Sequence, residues 1–294
     1  YDYDVIYYFG NENFENEIQS TSFSDLGKNY NTVSIIGCLS SGKSTLLNNL
    51  FQTSFEVMSD DKGRGQTTKG IWSSLCKKNK ILILDVEGTD SKERGDDRHK
   101  FENCASLFGL ALADLLIVNM WTVDIGRYTA SNYGVLKTIF EMNLKLFQQE
   151  CAKKILFVLR DFNIDSDNKE KITDLILKDI YNIWGEVQKP ERYKDYTPDK
   201  FFEFEFVTLP HYYYNSQEFD NEVADLRSRF SKDSHRYLFS HSNQDKNVLS
   251  QDLNMYFSKI WSTILGDKDL NIVSFSFFFL IFLIFLAKRK RNAC

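Results

Sequence analysis

Residues 33–51, VSIIGCLSSGKSTLLNNLF, place a lysine at the end of an apolar run, where packing does not require one. The run ends at Gly37, four residues follow, and Gly42, Lys43 and Ser44 come next. This spacing is typical of a phosphate-binding loop, in which backbone N–H groups surround the phosphates, the lysine reaches the β and γ groups, and the serine hydroxyl binds Mg²⁺. The motif therefore predicts a nucleotide site.

The sequence around this motif supports the prediction, although the bare pattern also fits a Gly/Ser turn that ends in Lys-Ser. Residues 32–36 predict a buried strand, and residues 44–51 predict a helix with Leu46, Leu47 and Leu50 on one face. A helix N-terminus directed at an anion is a favourable arrangement. The candidate nucleotide-binding residues in this loop are Gly37, Cys38, Leu39, Ser40, Ser41, Gly42, Lys43, Ser44 and Thr45.

Length and composition limit the classes of protein to consider. A chain of 294 residues predicts one large domain or two smaller ones. The net charge of −5 argues against a nucleic-acid partner, whose binding surface would be basic. Five scattered cysteines without a C-x-x-C pair favour free thiols in a reducing compartment. Because the chain begins with Tyr and shows no signal peptide, we expect an N-terminally incomplete or trimmed copy.

The chain alternates between strand-like and helix-like patterns after an acidic beginning. Residues 1–24 lack Lys and Arg, and we expect a loosely ordered lead-in. Short apolar strands separated by amphipathic helices predict an α/β fold, with a mostly parallel sheet covered by helices on both faces. A further helix is expected over about 247–270. The predicted strands are 32–36, 80–84, 115–119, 155–159 and 204–209.

The C-terminal segment, residues 271–294, differs in kind from the rest. Residues 272–287 carry no charge and precede Lys-Arg-Lys-Arg. As a helix this run would span ~24 Å, which is short of the ~30 Å hydrocarbon core of a bilayer. The basic residues after the run would prefer the cytosol, and a nucleotide-using domain must lie there too. A single span cannot place both of its ends on the same side of a membrane. A marginal tail anchor, a peripheral hydrophobic segment and a mis-assigned chain end all remain open.

Two further stretches suggest nucleotide sensing. In RGQTTKGIW, residues 64–72, a threonine can reach Mg²⁺ and the γ-phosphate, although a plain Thr-rich loop is the simpler interpretation. In LILDVEGTD, a strand ends in Asp85 and Gly88 follows. The carboxylate can hold a magnesium-bound water while the Gly88 N–H meets the γ-phosphate. Asp-x-x-Gly is common alone, but about 40 residues after a phosphate loop it becomes a strong indication.

The stretch ILFVLRD bears on the choice of base, because Arg160 and Asp161 end a buried strand. A carboxylate can accept hydrogen bonds from the N1–H and the exocyclic amine of guanine, a pair of donors that adenine lacks. The usual Asn-Lys-x-Asp signature of guanine sites is absent, and NKEK at Asn168 ends in Lys171 instead of Asp. A surface ion pair worth ~0–1 kcal/mol is the competing interpretation of Arg-Asp.

Taken together, these stretches resemble the root hair defective/Sey family of atlastin-like, dynamin-superfamily GTPases, which fuse endoplasmic-reticulum tubules. The resemblance runs in order from about residue 24 to 270, and it implies a dynamin-like GTPase domain over 25–246. GTP and Mg²⁺ are the implied ligands. The stretches that carry it are GCLSSGKSTLLNNLF, KGRGQTTKGIW, DVEGTDSKERGDD, LIVNMWTVDIGRYTASNYGVLKTIF, LFVLRD and IWGEVQKPE.

The resemblance implies roles for residues of the phosphate loop and the loop that follows it. Lys43 and Ser44 would bind the phosphates and Mg²⁺. Thr68, directly before Lys-Gly-Ile-Trp, matches the sensor threonine better than Thr67 does. The implied Mg²⁺ ligands are Ser44, Thr68 and Asp85.

Further roles concern the second switch and the base. Asp85 and Gly88 match the second switch, while Arg160 and Asp161 match the Arg-Asp guanine reader that replaces Asn-Lys-x-Asp. Residues 209–211, Leu-Pro-His, lie where the family surrounds the base, but they form no sharp motif.

The chain departs from atlastins proper in its catalytic groups. Ser40 stands where those proteins carry an arginine that stabilises the transition state. Arg64 is the candidate substitute, because an arginine near the γ-phosphate is worth orders of magnitude in rate; a solvated loop arginine is the alternative. Thr89 occupies the place of the usual glutamine, so that the backbone or Ser40 would position water. The candidate catalytic residues are Ser40, Lys43, Arg64 and Thr68.

The resemblance implies a function for the protein to which this module belongs. It predicts GTP-dependent homodimerisation in trans, with endoplasmic-reticulum lipids as partners and the GTPase domain facing the cytosol. The family's helical bundle and paired membrane spans do not follow residue 270 in this sequence. The alternatives are a guanylate-binding-type scaffold that assembles on membranes without fusing them, and a truncated fragment with negligible turnover.

Overall fold

The chain folds around one seven-stranded sheet. The computed structural model describes residues 4–7, 27, 29–57, 70–86, 88, 98–126, 136, 137, 140, 144, 153–239 and 253–266. The strands are β1 (Asp4–Tyr7), β2 (Asn31–Gly37), β3 (Ile71–Cys76), β4 (Ile81–Val86), β5 (Leu115–Trp121), β6 (Lys153–Arg160) and β7 (Phe202–Leu209). The helices are α1 (Lys43–Phe51), α2 (Arg98–Leu112), α3 (Lys169–Glu186), α4 (Ser216–Ser228) and α5 (Leu253–Gly266).

The strand order in the sheet is β1-β3-β4-β2-β5-β6-β7. The five strands from β4 to β7 in this order run parallel, whereas β3 and β1 are added at one edge through antiparallel pairs. The α/β prediction with a mostly parallel sheet is therefore confirmed. Because the parallel strands end at the same edge, this topology brings the ends of β2, β4, β5 and β6 together.

Helices cover both faces of the sheet, as predicted. Alternate residues of β2 divide between the two cores, so that Ile36 packs on one face and Ile35 on the other. Helices α2, α3 and α5 contribute Phe108, Ile180 and Trp261 to the first core. Helices α1 and α4 form the second core, with Leu46, Leu47, Leu50, Phe219 and Val223 among its buried residues.

Three elements were not expected from the sequence: β1, β3 and α2. Strand β1 lies in the segment predicted to be a loosely ordered lead-in, and this expectation fails for its four residues because they pair with β3. The pairing covers an edge that β3 would otherwise leave open. The five predicted strands are all present, each with one to three residues more than expected.

The C-terminal helix α5 begins at Leu253, so that residues 247–252 of the predicted helix lie outside the described residues. Its aromatic side chains Phe257 and Trp261 meet Phe108 of α2 edge-on, with ring centroids 5.7 Å apart in both pairs. The apolar segment 271–294 also lies outside the described residues. Within the described residues, none of the helices is both long enough and apolar enough to cross a membrane.

Candidate functional site

A cavity of about 320 Å³ opens at the edge where the parallel strands end. The phosphate loop forms one side of it, and the loops after β6 and β7 form another. Most of the predicted site residues are brought together here: those lining the cavity are Leu39, Ser40, Ser41, Gly42, Lys43, Ser44, Thr45, Gly88, Arg160 and Asp161.

The phosphate loop has the backbone that its sequence predicts. Ser40 and Gly42 have φ angles of 58° and 75°, which turn the loop before α1 begins at Lys43. The Lys43 ammonium is buried and donates to the carbonyl oxygens of Gly37 and Cys38, at 3.2 and 3.0 Å. The Gly42 N-cap has no side chain to cap the helix N-terminus. Its N–H groups and the lysine thus surround a place suited to an anion.

Ser44 and Asp85 meet at the side of this loop. The Ser44 hydroxyl donates to Oδ2 of Asp85 at 2.6 Å, and the carboxylate is buried at the end of β4. Mg²⁺ prefers oxygen ligands and commonly takes one or two from protein, with phosphates and waters completing the shell. No group of three or more His, Cys, Asp or Glu side chains among the described residues suits a metal. Ser44 and Asp85 therefore fit Mg²⁺ only together with phosphate oxygens.

Gly88, the glycine of the Asp-x-x-Gly pattern, lies directly against the phosphate loop. A Cβ atom at this position would come within 2.6 Å of Leu39 Cα and 2.8 Å of Lys43 Nζ. Glycine is therefore required for the backbone of the second switch to approach the loop this closely. That its N–H group meets the γ-phosphate stays a prediction.

Arg160 lies beneath the phosphate loop. Its Nη1 donates to the carbonyl oxygens of Ser41 and Gly42, at 3.3 and 3.2 Å, and only 3% of the residue is exposed. The guanidinium also faces the rings of Trp121 and Phe219, with centroids 6.0 and 5.5 Å away. Burial lowers the pKa of Arg160 from its ordinary value, and the charge of Asp161 partly opposes that shift.

Asp161 lines the same cavity and directly follows β6. Its φ of 56° is unusual for a residue other than glycine, and it turns the chain sharply after β6. The carboxylate is partly exposed, and its Oδ2 lies 3.8 Å from Nε2 of His211. His211 is itself oriented by the backbone, because its Nδ1 accepts hydrogen bonds from the N–H groups of Tyr213 and Tyr214, at 3.1 and 3.2 Å.

Sequence reasoning missed Asn119, which is fully buried at the end of β5. Its Nδ2 donates to both the carbonyl oxygen and the hydroxyl of Ser41, at 2.8 and 2.9 Å. It also pairs with Gly37 across the sheet. The available signal was a single polar residue inside an otherwise apolar strand, in the stretch LLIVNMW. Arg64, Thr68 and Thr89 lie outside the described residues, and their roles stay predictions.

Comparison with known proteins identifies a family. The model of the GTPase domain of root hair defective 3 GTP-binding protein (RHD3) matches residues 36–273. "Protein SEY1 homolog 1" of Trichomonas vaginalis is 45% identical over 263 residues, which cover 88% of this chain and 32% of that protein. "Protein SEY1 homolog" of Dictyostelium discoideum is 42% identical over 260 residues, covering 86% and 29%. The chain thus spans about a third of the length of these curated relatives.

Among solved structures, a variant of Aquifex aeolicus Era bound to GDP·AlF₄⁻ matches with a TM-score of 0.40 and 18% sequence identity. The match covers 75% of this chain and 61% of that one.

Proposed function

The chain belongs to the root hair defective 3 (RHD3) family and comprises its GTPase domain, and from this premise we propose that it binds and hydrolyses GTP to drive homotypic fusion of endoplasmic-reticulum membranes. One observation carries the nucleotide part of the proposal. The phosphate loop and Asp161 line the same cavity, so that a single nucleotide can reach both. If the two had been at opposite ends of the sheet, no single nucleotide could have bridged them.

Different residues of the cavity bind different parts of the nucleotide. Lys43 and the N–H groups of the loop would hold the phosphates. Ser44 and Asp85, whose side chains meet beside the loop, would hold Mg²⁺. When bound, Mg²⁺ would offset the negative charge on the β- and γ-phosphates. The Asp161 carboxylate accepts hydrogen bonds from N1–H and the exocyclic amine of guanine, which makes GTP the preferred nucleotide.

Hydrolysis requires groups that stabilise developing charge and position water. Lys43 is placed to neutralise charge on the transferred phosphoryl group. Ser40 lies on the exposed side of the loop and lines the cavity, where its hydroxyl can orient water. We assign the arginine and the sensor threonine to Arg64 and Thr68 on the sequence pattern alone.

The membrane part of the proposal is supported by the relatives. Proteins named SEY1 homologues match most of this chain, and the family fuses endoplasmic-reticulum tubules by GTP-dependent dimerisation of GTPase domains in trans. We assign the longer protein to the endoplasmic-reticulum membrane, with this domain facing the cytosol. Its partners are a second copy of itself and the lipids of that membrane.

The nucleotide assignment is tested with fluorescent GTP and two variants. Lys43→Ala should abolish binding, because it removes the buried cation of the phosphate loop. Asp161→Asn should weaken GTP binding by about tenfold or more, since a hydrogen bond to a charged group is worth about 1.5–3 kcal/mol. Lys194→Ala and Asp165→Asn, both at exposed positions, are matched controls that should bind like the wild type. Unchanged GTP binding in both site variants would refute the assignment.

The membrane role is tested on liposomes that carry the full-length protein. We expect GTP to cause lipid mixing between liposomes, and Lys43→Ala to prevent it. GTP-dependent assembly without lipid mixing would instead identify a scaffold of the guanylate-binding type.

A further inference from the structure

Two buried polar side chains meet directly beneath the phosphate loop. Asn119 donates twice to Ser41, at 2.8 and 2.9 Å, and Arg160 donates to Ser41 and to Gly42. The two side chains also contact each other, with Arg160 Nη1 lying 3.5 Å from Asn119 Oδ1. We call this pair the loop support. It reaches the loop through backbone carbonyls, and it thereby fixes the peptide units whose N–H groups face the cavity.

Residues on the side away from the phosphate loop also contact Arg160 of the loop support. The guanidinium packs near the rings of Trp121 and Phe219, and the Arg160 carbonyl accepts a hydrogen bond from Thr122 Oγ1 at 2.7 Å. On the other side, a Cβ atom at Gly42 would come within 3.1 Å of Arg160 Nη1. The loop and the guanidinium are thus in contact, so that a change in one requires a change in the other.

Stability alone does not account for an arginine at this place. Burying a cation carries a large desolvation cost, which is offset only when its donors are well satisfied. Arg160 Nε is buried and has no hydrogen-bond partner among the described residues. Replacing such buried charges with apolar groups is often neutral or stabilising. The two shorter side-chain hydrogen bonds of Arg160 go to carbonyl oxygens of the loop, which points to a role in the site.

The side chains of Arg160 and its neighbour Asp161 have different partners in the site. The left-handed turn at Asp161 separates the two side chains, with the carboxylate lying near His211 and the guanidinium beneath Ser41 and Gly42. An Arg-Asp pair in a guanine site suggests that both residues read the base. The side-chain hydrogen bonds of Arg160 instead go to the phosphate loop and to Asn119.

We propose that Asn119 and Arg160 are positioning residues of the phosphate loop, and that Arg160 takes no part in recognising the base. This inference rests on the proposed function, because it assumes that the cavity takes a guanine nucleotide. The loop support sets the orientation of the N–H groups that bind phosphate, whichever base is attached. Removing the loop support should therefore lower the affinity for every nucleotide by the same factor.

The test compares GDP with IDP, whose base lacks the exocyclic amine that Asp161 reads. In Arg160→Lys an ammonium replaces the guanidinium whose Nη1 reaches both carbonyls, and Asn119→Ala removes the donor to Ser41. Each variant should lower the affinities for GDP and IDP by the same factor, about tenfold or more. The preference for GDP over IDP should stay within about twofold of the wild-type value. The double variant should bind both nucleotides with about the affinity of the single variant that binds them less tightly. The two losses should not add, because both residues act through Ser41.

Controls and contrary outcomes separate this inference from others. Arg192→Lys and Asn221→Ala, at exposed positions elsewhere, should leave both affinities unchanged. Loss of the GDP preference in Arg160→Lys would place Arg160 at the base and overturn the proposal, as would unchanged affinity in both variants. If Arg160→Lys fails to fold in a thermal melt, Asn119→Ala carries the test. A wild-type protein that binds neither nucleotide would refute the proposed function instead.

Discussion

At the scale of single residues, Gly37 shows how tightly the site is built. A Cβ atom there would lie 2.2 Å from the carbonyl oxygen of Asn119, and the φ of 152° disfavours other residues. The sequence predicts a glycine at this place because phosphate loops begin with one. It does not predict that the neighbouring strand fills the space, since that contact joins residues 82 positions apart.

Gly37→Ala should therefore destabilise the protein by about 2–4 kcal/mol, from overpacking and backbone strain together. It should also weaken GDP binding, because the first peptide of the phosphate loop must move. Gly185→Ala is the matched control, because Gly185 lies in α3 and a Cβ atom added there would have open space around it. That variant should be more stable by about 0.5–1 kcal/mol. Urea unfolding measures the free energy of unfolding of both variants. If it changes in the same direction in both, the crowding at Gly37 is not the cause.

At the scale of elements, a charged cluster joins β6, β7 and the end of α4. Lys154 pairs with Glu203 at 3.1 Å and with Glu205 at 2.7 Å, and Arg229 pairs with Glu205 as well. The pKa of Glu205 is lowered from its ordinary value. Burial is the largest single influence and raises it, but the hydrogen bonds and charges of Lys154 and Arg229 outweigh burial.

This cluster predicts a pH dependence of stability. Because the folded pKa of Glu205 lies below its ordinary value of 4.5, the ionised carboxylate stabilises the fold above about pH 4.5. That contribution is lost as the pH falls from there through the folded pKa. Glu205→Gln should lower the free energy of unfolding by about 1–3 kcal/mol at pH 7, and the difference from wild type should shrink below pH 4.5. Glu222→Gln, exposed on α4, should show neither effect. A difference that stays constant with pH would refute the role of ionised Glu205.

The elements also show which parts of the fold the sequence could predict. Parallel strands buried on both faces are continuous apolar runs, and all five predicted ones are present. Strand β3 was not predicted, because its middle residues, Ser73 and Ser74, are buried serines and not apolar residues. The phosphate loop was predicted from a local pattern and Asp161 from the family resemblance. Asn119 was not predicted, because its contact with the loop depends on a strand pairing.

At the scale of the whole molecule, the cavity lies where both cores meet. Helix α1 begins in the phosphate loop and packs into the core that includes Phe219. Strand β6, which ends in Arg160, contributes Leu156 and Val158 to that core and Phe157 and Leu159 to the other. A nucleotide in the cavity therefore contacts segments anchored on both faces of the sheet. Its binding should stabilise the molecule as one unit, and not one face alone.

This leads to a prediction about cooperative unfolding in the presence of ligand. At a free concentration about 100 times the Kd, GDP with Mg²⁺ should raise the free energy of unfolding by about 2.7 kcal/mol, since it binds the folded state only. Calorimetry should show a single transition that moves to higher temperature as a whole. Lys43→Ala should unfold at the same temperature with and without GDP, while the exposed-site control Lys194→Ala should shift like the wild type. If GDP splits the transition into a shifted and an unshifted part, the two faces of the sheet unfold separately, and the nucleotide stabilises only one of them.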